Sequence, residues 1–324
     1  MLRARFVLSM IFLSLLALGP HNAAGQNYPS RPIQIIGPFP PGGGTDLVMR
    51  LMGQKLNEAL GQPVIYDYRS GAAGNLGTAL AAKARPDGYT LSMQSPPFTV
   101  NPLTMRNVGY DPIKDFTPII LATETAYVIV AHPAVPARNI RELIALGKAN
   151  PNKLSFGTSG TLAQLGGELL KKMGGFNMTH IPYRGAGPAL IDLVGGHLDL
   201  SVTTPTAPLP FIRAGRLRVL AVASTARLDI LPQVPTVAES GIPGFEVSGW
   251  YGLLAPAGTP KEIINRLNSE LVRALALPEI KTRLSQEAIK PVASTPEEFA
   301  VYLGKETAKW SRLITEIGFK APPE

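Results

Sequence analysis

Short apolar runs alternate with amphipathic stretches along most of the chain. Residues 32–39 (PIQIIGPF) are apolar and β-branched, and predict a strand. A glycine-rich turn follows, then DLVMRLMGQKLNEALG, where Leu47, Val48, Leu51, Leu56 and Leu60 track one helical face and Gly61 suits the C′ position. Strands are predicted at 63–68, 89–93, 117–121 and 127–131, with a helix near 74–84. The middle repeats the theme. KLSF (153–156), THIP (179–182), LDLSV (198–202) and LRVLAVA (217–223) read as strands, and LAQLGGELLKKM, GPALIDLV and PLPFIRAG as the helices between them. YGLLA opens the last third, and helices follow it. Such alternation predicts an α/β protein with mostly parallel sheets covered by helices.

Three helix starts carry capping signals. Asn139 with Glu142 has N-cap and N3 spacing. Thr259-Pro260-Lys261-Glu262 and Thr295-Pro296-Glu297-Glu298 both place Thr at N-cap, Pro at N1 and Glu at N3.

Length and composition narrow the class. A chain of 324 residues has room for two cored domains. Gly 32 and Pro 31 serve many turns, because 45% hydrophobic content excludes a disordered chain. Cys 0 excludes disulfide scaffolds, cysteine nucleophiles and thiolate metal sites, and four histidines argue against a His-rich one. Arg3 and Arg5 precede an uncharged apolar run over 6–18, and Ala23, Ala24 and Gly25 follow. That order is a secretory leader over residues 1–25, since the run falls short of the ~20 residues a spanning helix needs. The mature chain is expected to be soluble and exported. Without the two leader arginines the formal charge of +8 becomes +6, because the segment holds no acid. The remaining cations are scattered, so nucleic acid is not an expected partner.

Four donor-rich loops stand between strand and helix. Pro41, Gly42, Gly43, Gly44, Thr45 and Asp46 form the first, where glycines let backbone N–H groups approach a ligand and the next helix adds unpaired N–H groups. Asp46 either caps that helix or repels a fully anionic ligand unless it holds water. Thr158, Ser159, Gly160 and Thr161 repeat the physics, with Ser159 or Thr161 as alternative N-caps. Thr203 and Thr204 follow LDLSV, and Gly74 and Asn75 end the loop at 70–75. Ligands of open α/β sheets collect beyond the carboxyl ends of strands, so several such loops in two halves suit one small anion held between lobes.

Enzyme signatures are weak. No Lys-Ser/Thr follows the first glycines, so a P-loop fails. Ser159 lacks the elbow glycine two residues before it. His132, His180 and His197 stand in no recognisable nucleophile context. No catalytic residue, metal site or cofactor is expected.

The chain resembles the solute-binding proteins of tripartite tricarboxylate transporters, the Bug or TctC family. The residues carrying the match are YPSRPIQIIGPFPPGGGTD (28–46), SGAAGNLGTALAAKARPDGYTL (70–91), YDPIKDFTPI (110–119), SFGTSGTLAQLGGELL (155–170), IPYRGAGPALIDLVGGHLDL (181–200) and GWYGLLAPAGTP (249–260). The resemblance implies a two-lobed, type II-like periplasmic binding fold. It implies capture of a small carboxylate, delivery to a membrane transporter of that type, and no chemistry on the ligand. It carries the gripping role onto the loops at 42–46 and 158–161. Where relatives often have an acid or amide after the LDLSV strand, this chain has Thr203 and Thr204. Phe98 either stacks on an apolar ligand or packs as ordinary loop. Arg184 is the cation expected near the cleft, or else a surface residue paired with an acid. The alternatives are an exported hydrolase or lyase on this fold, and a sensor's binding subunit. A monomer is expected, crossing between lobes near 125–132 and 246–255. Residues 27–126 with 250–324 then form lobe one, and 127–249 lobe two.

Overall fold

The computed structural model describes residues 28–319. The expected leader lies outside them. Three strands open the chain: β1 (Ile33–Gly37), β2 (Val64–Tyr68) and β3 (Thr90–Gln94). β1 pairs with both others in parallel. The crossovers are α1 (Gly44–Leu60) between β1 and β2, and α2 (Asn75–Ala82) between β2 and β3. β3 is followed by α3 (Pro97–Thr104) and the long β4 (Phe116–Ala126).

One residue, Tyr127, then separates β4 from β5 (Val128–Ala131), which belongs to another sheet. That sheet adds β6 (Ser155–Thr158), β7 (Thr179–Pro182), β8 (Leu200–Thr203) and β9 (Arg218–Val222), in the order β7-β6-β8-β5-β9. Its helices are α4 (Ile140–Ala149), α5 (Thr161–Gly174), α6 (Ala186–Val194) and α7 (Leu209–Arg213). β10 (Ser248–Pro256) returns to the first sheet. α8 (Lys261–Ala276), α9 (Pro278–Ser285), β11 (Ile289–Pro291) and α10 (Pro296–Ile317) complete the chain. The first sheet has the order β11-β4-β10-β3-β1-β2.

Both sheets are mixed, which corrects the mostly parallel sheets expected. β10 is antiparallel to β3 and β4, β11 to β4, and β5 to β8 and β9. The cause is the double crossing. β4 leaves the first sheet at the end where β10 enters it, so Ser248 pairs with Ala126 and the two strands run in opposite senses. Alternation along the chain does not report this, because the reversal is a property of the return path.

Each sheet has its own core. Ile33, Ile35, Met49, Met52 and Leu253 pack in the first lobe, and Phe156, Leu165 and Val202 in the second. Two elements reach across. Val100 of α3 is buried in the second core, and α10 contributes Phe299 and Leu303 to a cluster with Trp250 but Trp310 to the second core.

The caps test the start signals. Asn139 accepts from the Glu142 N–H at 3.0 Å, and Thr295 forms a full capping box with Glu298. Thr259 does not cap. Its hydroxyl donates to the Pro256 carbonyl at 2.7 Å, and Pro260 stands at the N-cap of α8. The nearer acceptor captures the hydroxyl. Segment 95–99, read as loop, is the start of α3, whose Pro97 occupies the first turn where a missing N–H costs nothing. Among the described residues no helix is long and apolar enough to cross a membrane.

Candidate functional site

Three helix N-termini meet between the lobes. α1 starts at N-cap Gly43 in the first lobe, and α5 and α6 start at Gly160 and Gly185 in the second. None of the three has a side-chain cap. Their first-turn N–H groups therefore lack intrahelical partners and carry the positive ends of the helix dipoles. All three glycines line one cavity of about 70 Å³ between the lobes. Thr45, Ser159, Thr203 and Thr204 line it too, and its floor includes Tyr127 and Tyr251 from the two crossings. No Asp, Glu, Lys, Arg or His lines this cavity. Its polarity comes from neutral donors alone, a composition that attracts an anion without competing for it.

Local sequence explains the approach. A Cβ on Gly44 would lie 2.7 Å from Cζ of Tyr251 and overlap its hydroxyl oxygen. Gly185 has φ 146°, a region that disfavours side chains, and a Cβ there would lie 3.2 Å from Cγ of Pro40 on the opposite lobe. Burial pushes the Tyr251 phenol up to about 12, partly offset by its hydrogen bond with Thr204, so it stays a neutral hydroxyl. Burial also raises Tyr127, with the Tyr251 phenol beside it as the lesser cause.

The cavity shares Phe39, Pro40, Ser159 and Gly160 with a larger chamber of about 1510 Å³. That chamber runs between the lobes past Gly74, Met105, Arg106, Thr158, Thr161, His180, Tyr183, Arg184 and Phe319. Thr158 Oγ1 lies 2.7 Å from His180 Nε2, which fixes the hydroxyl beside Ser159. Burial, and secondarily the Lys171 charge, lower His180 to about 4, so the ring is neutral above that pH.

The expected residues divide. Gly43, Gly44, Thr45, Ser159, Gly160, Thr203 and Thr204 are brought together around the cavity. Gly74, Thr158, Thr161 and Arg184 line the chamber. Pro41 and Gly42 are exposed and line neither space. Asp46 turns away from the cavity. Its carboxylate accepts from the Gly42 N–H at 2.9 Å, Arg50 Nε at 2.8 Å and the Tyr68 hydroxyl, so its charge is met on the outer side of the loop. Asn75 is buried and accepts from Asn101 Nδ2 at 2.7 Å, and Asn101 accepts in turn from Thr161, a polar chain running from lobe to lobe. Phe98 does not face either space. It is 1% exposed, stacked on Tyr110 and edge-on to Phe116 and Trp250. Its place on α3 turns the ring into the first lobe, away from the cleft.

Sequence reasoning missed Tyr127, Tyr251 and Arg106. The tyrosines sit inside apolar strand runs that read as core. The glycines on both sides of Trp250-Tyr251, Gly249 and Gly252, were the available sign of a close approach.

Two lobes, two crossings and a cleft of convergent donors between them define a solute-binding protein. Comparison with known proteins gives the family: residues 48–319 match the tripartite tricarboxylate transporter family receptor, and the chain belongs to that family. It is 37% identical to Protein BugT of Bordetella pertussis over 301 residues, covering 92% of each chain. The structure of Rpa4515 of R. palustris with adipate superposes with TM-score 0.88 at 33% identity, covering 90% of this chain and 98% of that one. MatC of Rhodopseudomonas palustris, with bound malate, gives TM-score 0.84 at 31% identity, covering 89% and 100%.

Proposed function

We propose that this chain is exported to the periplasm as a monomer, captures a small carboxylate between its lobes and hands it to a membrane transporter of the tripartite tricarboxylate type, without chemistry on the ligand. The observation that carries the reading is the meeting of three uncapped helix N-termini, from both lobes, around a cavity lined by hydroxyls and no charged side chain. A carboxylate has about four acceptor sites, more than one loop satisfies. N–H groups of α1 serve one side of it, and Ser159 with the N–H groups of α5 and α6 the other. The adipate and malate bound by the two related structures support the ligand class.

Residues 27–126 with 250–324, and residues 127–249, are the two bodies that close on the ligand in this reading. The crossings at Tyr127 and before Ser248 serve as the hinge, and α10 braces them from behind. Closure then needs ligand contacts on both bodies at once.

A thermal-shift screen of mono-, di-, tri- and aromatic carboxylates tests the proposal. A ligand at one hundred times its Kd adds about 2.7 kcal/mol to the folded state and raises the melting temperature. A flat response to every carboxylate, with a shift for a neutral or cationic solute, would overturn it. Turnover of a binding carboxylate would move the protein to the hydrolase or lyase alternative.

A further inference from the structure

Asn101 is 1% exposed and lines neither the cavity nor the chamber, yet it bonds a loop from each lobe. Its Nδ2 donates to the Ala73 carbonyl at 3.1 Å and to Asn75 Oδ1 at 2.7 Å, both in the first lobe. Its Oδ1 accepts from the hydroxyl of Thr161, the first residue of α5 in the second. The Ala73 carbonyl can only accept, so the amide nitrogen must face it and the amide oxygen must face Thr161. Both amide hydrogens and the oxygen are thus engaged, and the three side chains of the relay, Asn75, Asn101 and Thr161, are all buried. Each end of the relay meets the interlobe chamber, whose wall includes the turn 71–74 on one side and residues 158–161 on the other. The first-lobe turn needs holding. Ala72 and Ala73 lie at φ 46° and 54°, the left-handed region that is strained for a residue with a Cβ. α3 supplies a fixed station between the two ends. Its Phe98 is buried in the cluster with Trp250, and its Val100 in the core of the second lobe.

We infer that Asn101 is a positioning residue for solute binding: it holds the chamber turn of the first lobe and the donor-bearing start of α5 in the second at one fixed spacing, without touching the solute. This inference rests on the reading of the α5 start as a carboxylate donor and adds what keeps that start in place. Donors aimed at a charge are effective when they are preorganised, because an N–H that must first be reoriented loses part of its gain. Gly160 at the N-cap of α5 has no side chain to fix the first turn. The Thr161 hydroxyl fixes it instead, through Asn101. A buried amide that loses one partner is left unpaired away from water, so the three groups act as a unit. Disturbance at the second-lobe end is therefore felt at the first-lobe turn, which α5 does not reach through any strand pairing.

The test is hydrogen exchange by mass spectrometry on the unliganded protein, with calorimetric titration of adipate and of malate. The variants are Thr161→Val, which removes the hydroxyl at nearly constant volume, Asn101→Ala, the double, and Thr161→Ser, with circular dichroism to verify folding. Thr161→Val should raise exchange about five- to tenfold in 159–165 and also in 71–77 of the other lobe, the effect of one lost buried hydrogen bond. Asn101→Ala should do the same, and the double should add little to it. Either single variant should weaken binding of the acid that the wild type takes about tenfold, and Thr161→Ser should restore affinity to within about threefold. Should Asn101→Ala fail to fold, Thr161→Val against Thr161→Ser decides. A rise confined to 159–165 would overturn the relay, as would fully additive effects in the double. Unchanged affinity in a folded variant with faster exchange in both loops would overturn the positioning role and leave the carboxylate reading intact. Absence of binding by both acids and by every other carboxylate would overturn that reading instead, with the exchange data still deciding the relay.

Discussion

Gly44 and Tyr251 occupy one space: the first residue of α1 has no side chain because the buried phenol of β10 stands where its Cβ would be. The contact joins the loop that presents N–H groups to the strand that re-enters the first sheet. Gly44→Ala should therefore cost about 1–3 kcal/mol of stability, the usual range for overpacking a filled site. Tyr251→Phe in the same chain should return part of that loss, since it removes the overlapping oxygen. Denaturant unfolding of the two single variants and the double decides it, and strictly additive effects would count against the contact.

Ser159 lines both spaces. Loss of a hydrogen bond to a charged group costs about 1.5–3 kcal/mol, so Ser159→Ala should weaken carboxylate binding roughly ten- to a hundredfold. Thr45→Ala, on the opposite lobe, should behave alike. Calorimetry gives the affinity, and small-angle scattering should find less ligand-induced compaction in both variants.

Phe98→Ala should act on folding. The ring is enclosed by Tyr110, Phe116 and Trp250, and truncating a buried Phe costs about 3–5 kcal/mol. The variant should lose stability, with the rank order of carboxylate ligands kept. A changed rank order in a stable variant would return Phe98 to the site.

Alkaline pH should unfold the protein through its buried phenols. Tyr251 is raised to about 12, and Tyr127 is raised with it, against about 10 in an unfolded chain. Between these values the unfolded state has released a proton that the folded state still holds. Stability is complete below pH ~10 and falls as pH rises, by up to about 1.4 kcal/mol per pH unit for each tyrosine. Tyr251→Phe should flatten the slope above pH ~10, measured as melting temperature against pH.

His180 gives the opposite sign. Its folded value is about 4, below the 6.5 of a free imidazole. As pH falls from 6.5 toward 4 the unfolded chain takes up a proton that the folded ring refuses, so stability drops. His180→Gln should remove that part of the acid slope while retaining an amide partner for Thr158. An unchanged slope between pH 4 and 6.5 would assign it to other groups.

What the sequence disclosed and what it hid follow one division. The loops at 43–45 and 159–160 were legible because glycine and hydroxyl clusters between strand and helix are local signals. So were the caps at Asn139 and Thr295, which need only residues three apart. Tyr251 reaches the cleft through the pairing of β10 with β4, and Tyr127 and Arg106 line spaces built from segments distant in sequence, which no window of neighbouring residues contains. α3 was hidden by its own prolines, Pro97 and Pro102, which in a window read as loop. Asp46 was left between two roles, and the donors that chose for it include Tyr68, twenty-two residues away.

Phe319, half-buried just beyond α10, stands on the wall of the interlobe chamber. The chain has no cysteine. A single Phe319→Cys change would create the molecule's one thiol at the edge of the space a solute fills. An environment-sensitive fluorophore attached there has a single site of reaction and a direct view of occupancy. The α10 brace thus doubles as the natural mount for a reagentless optical sensor of organic acids.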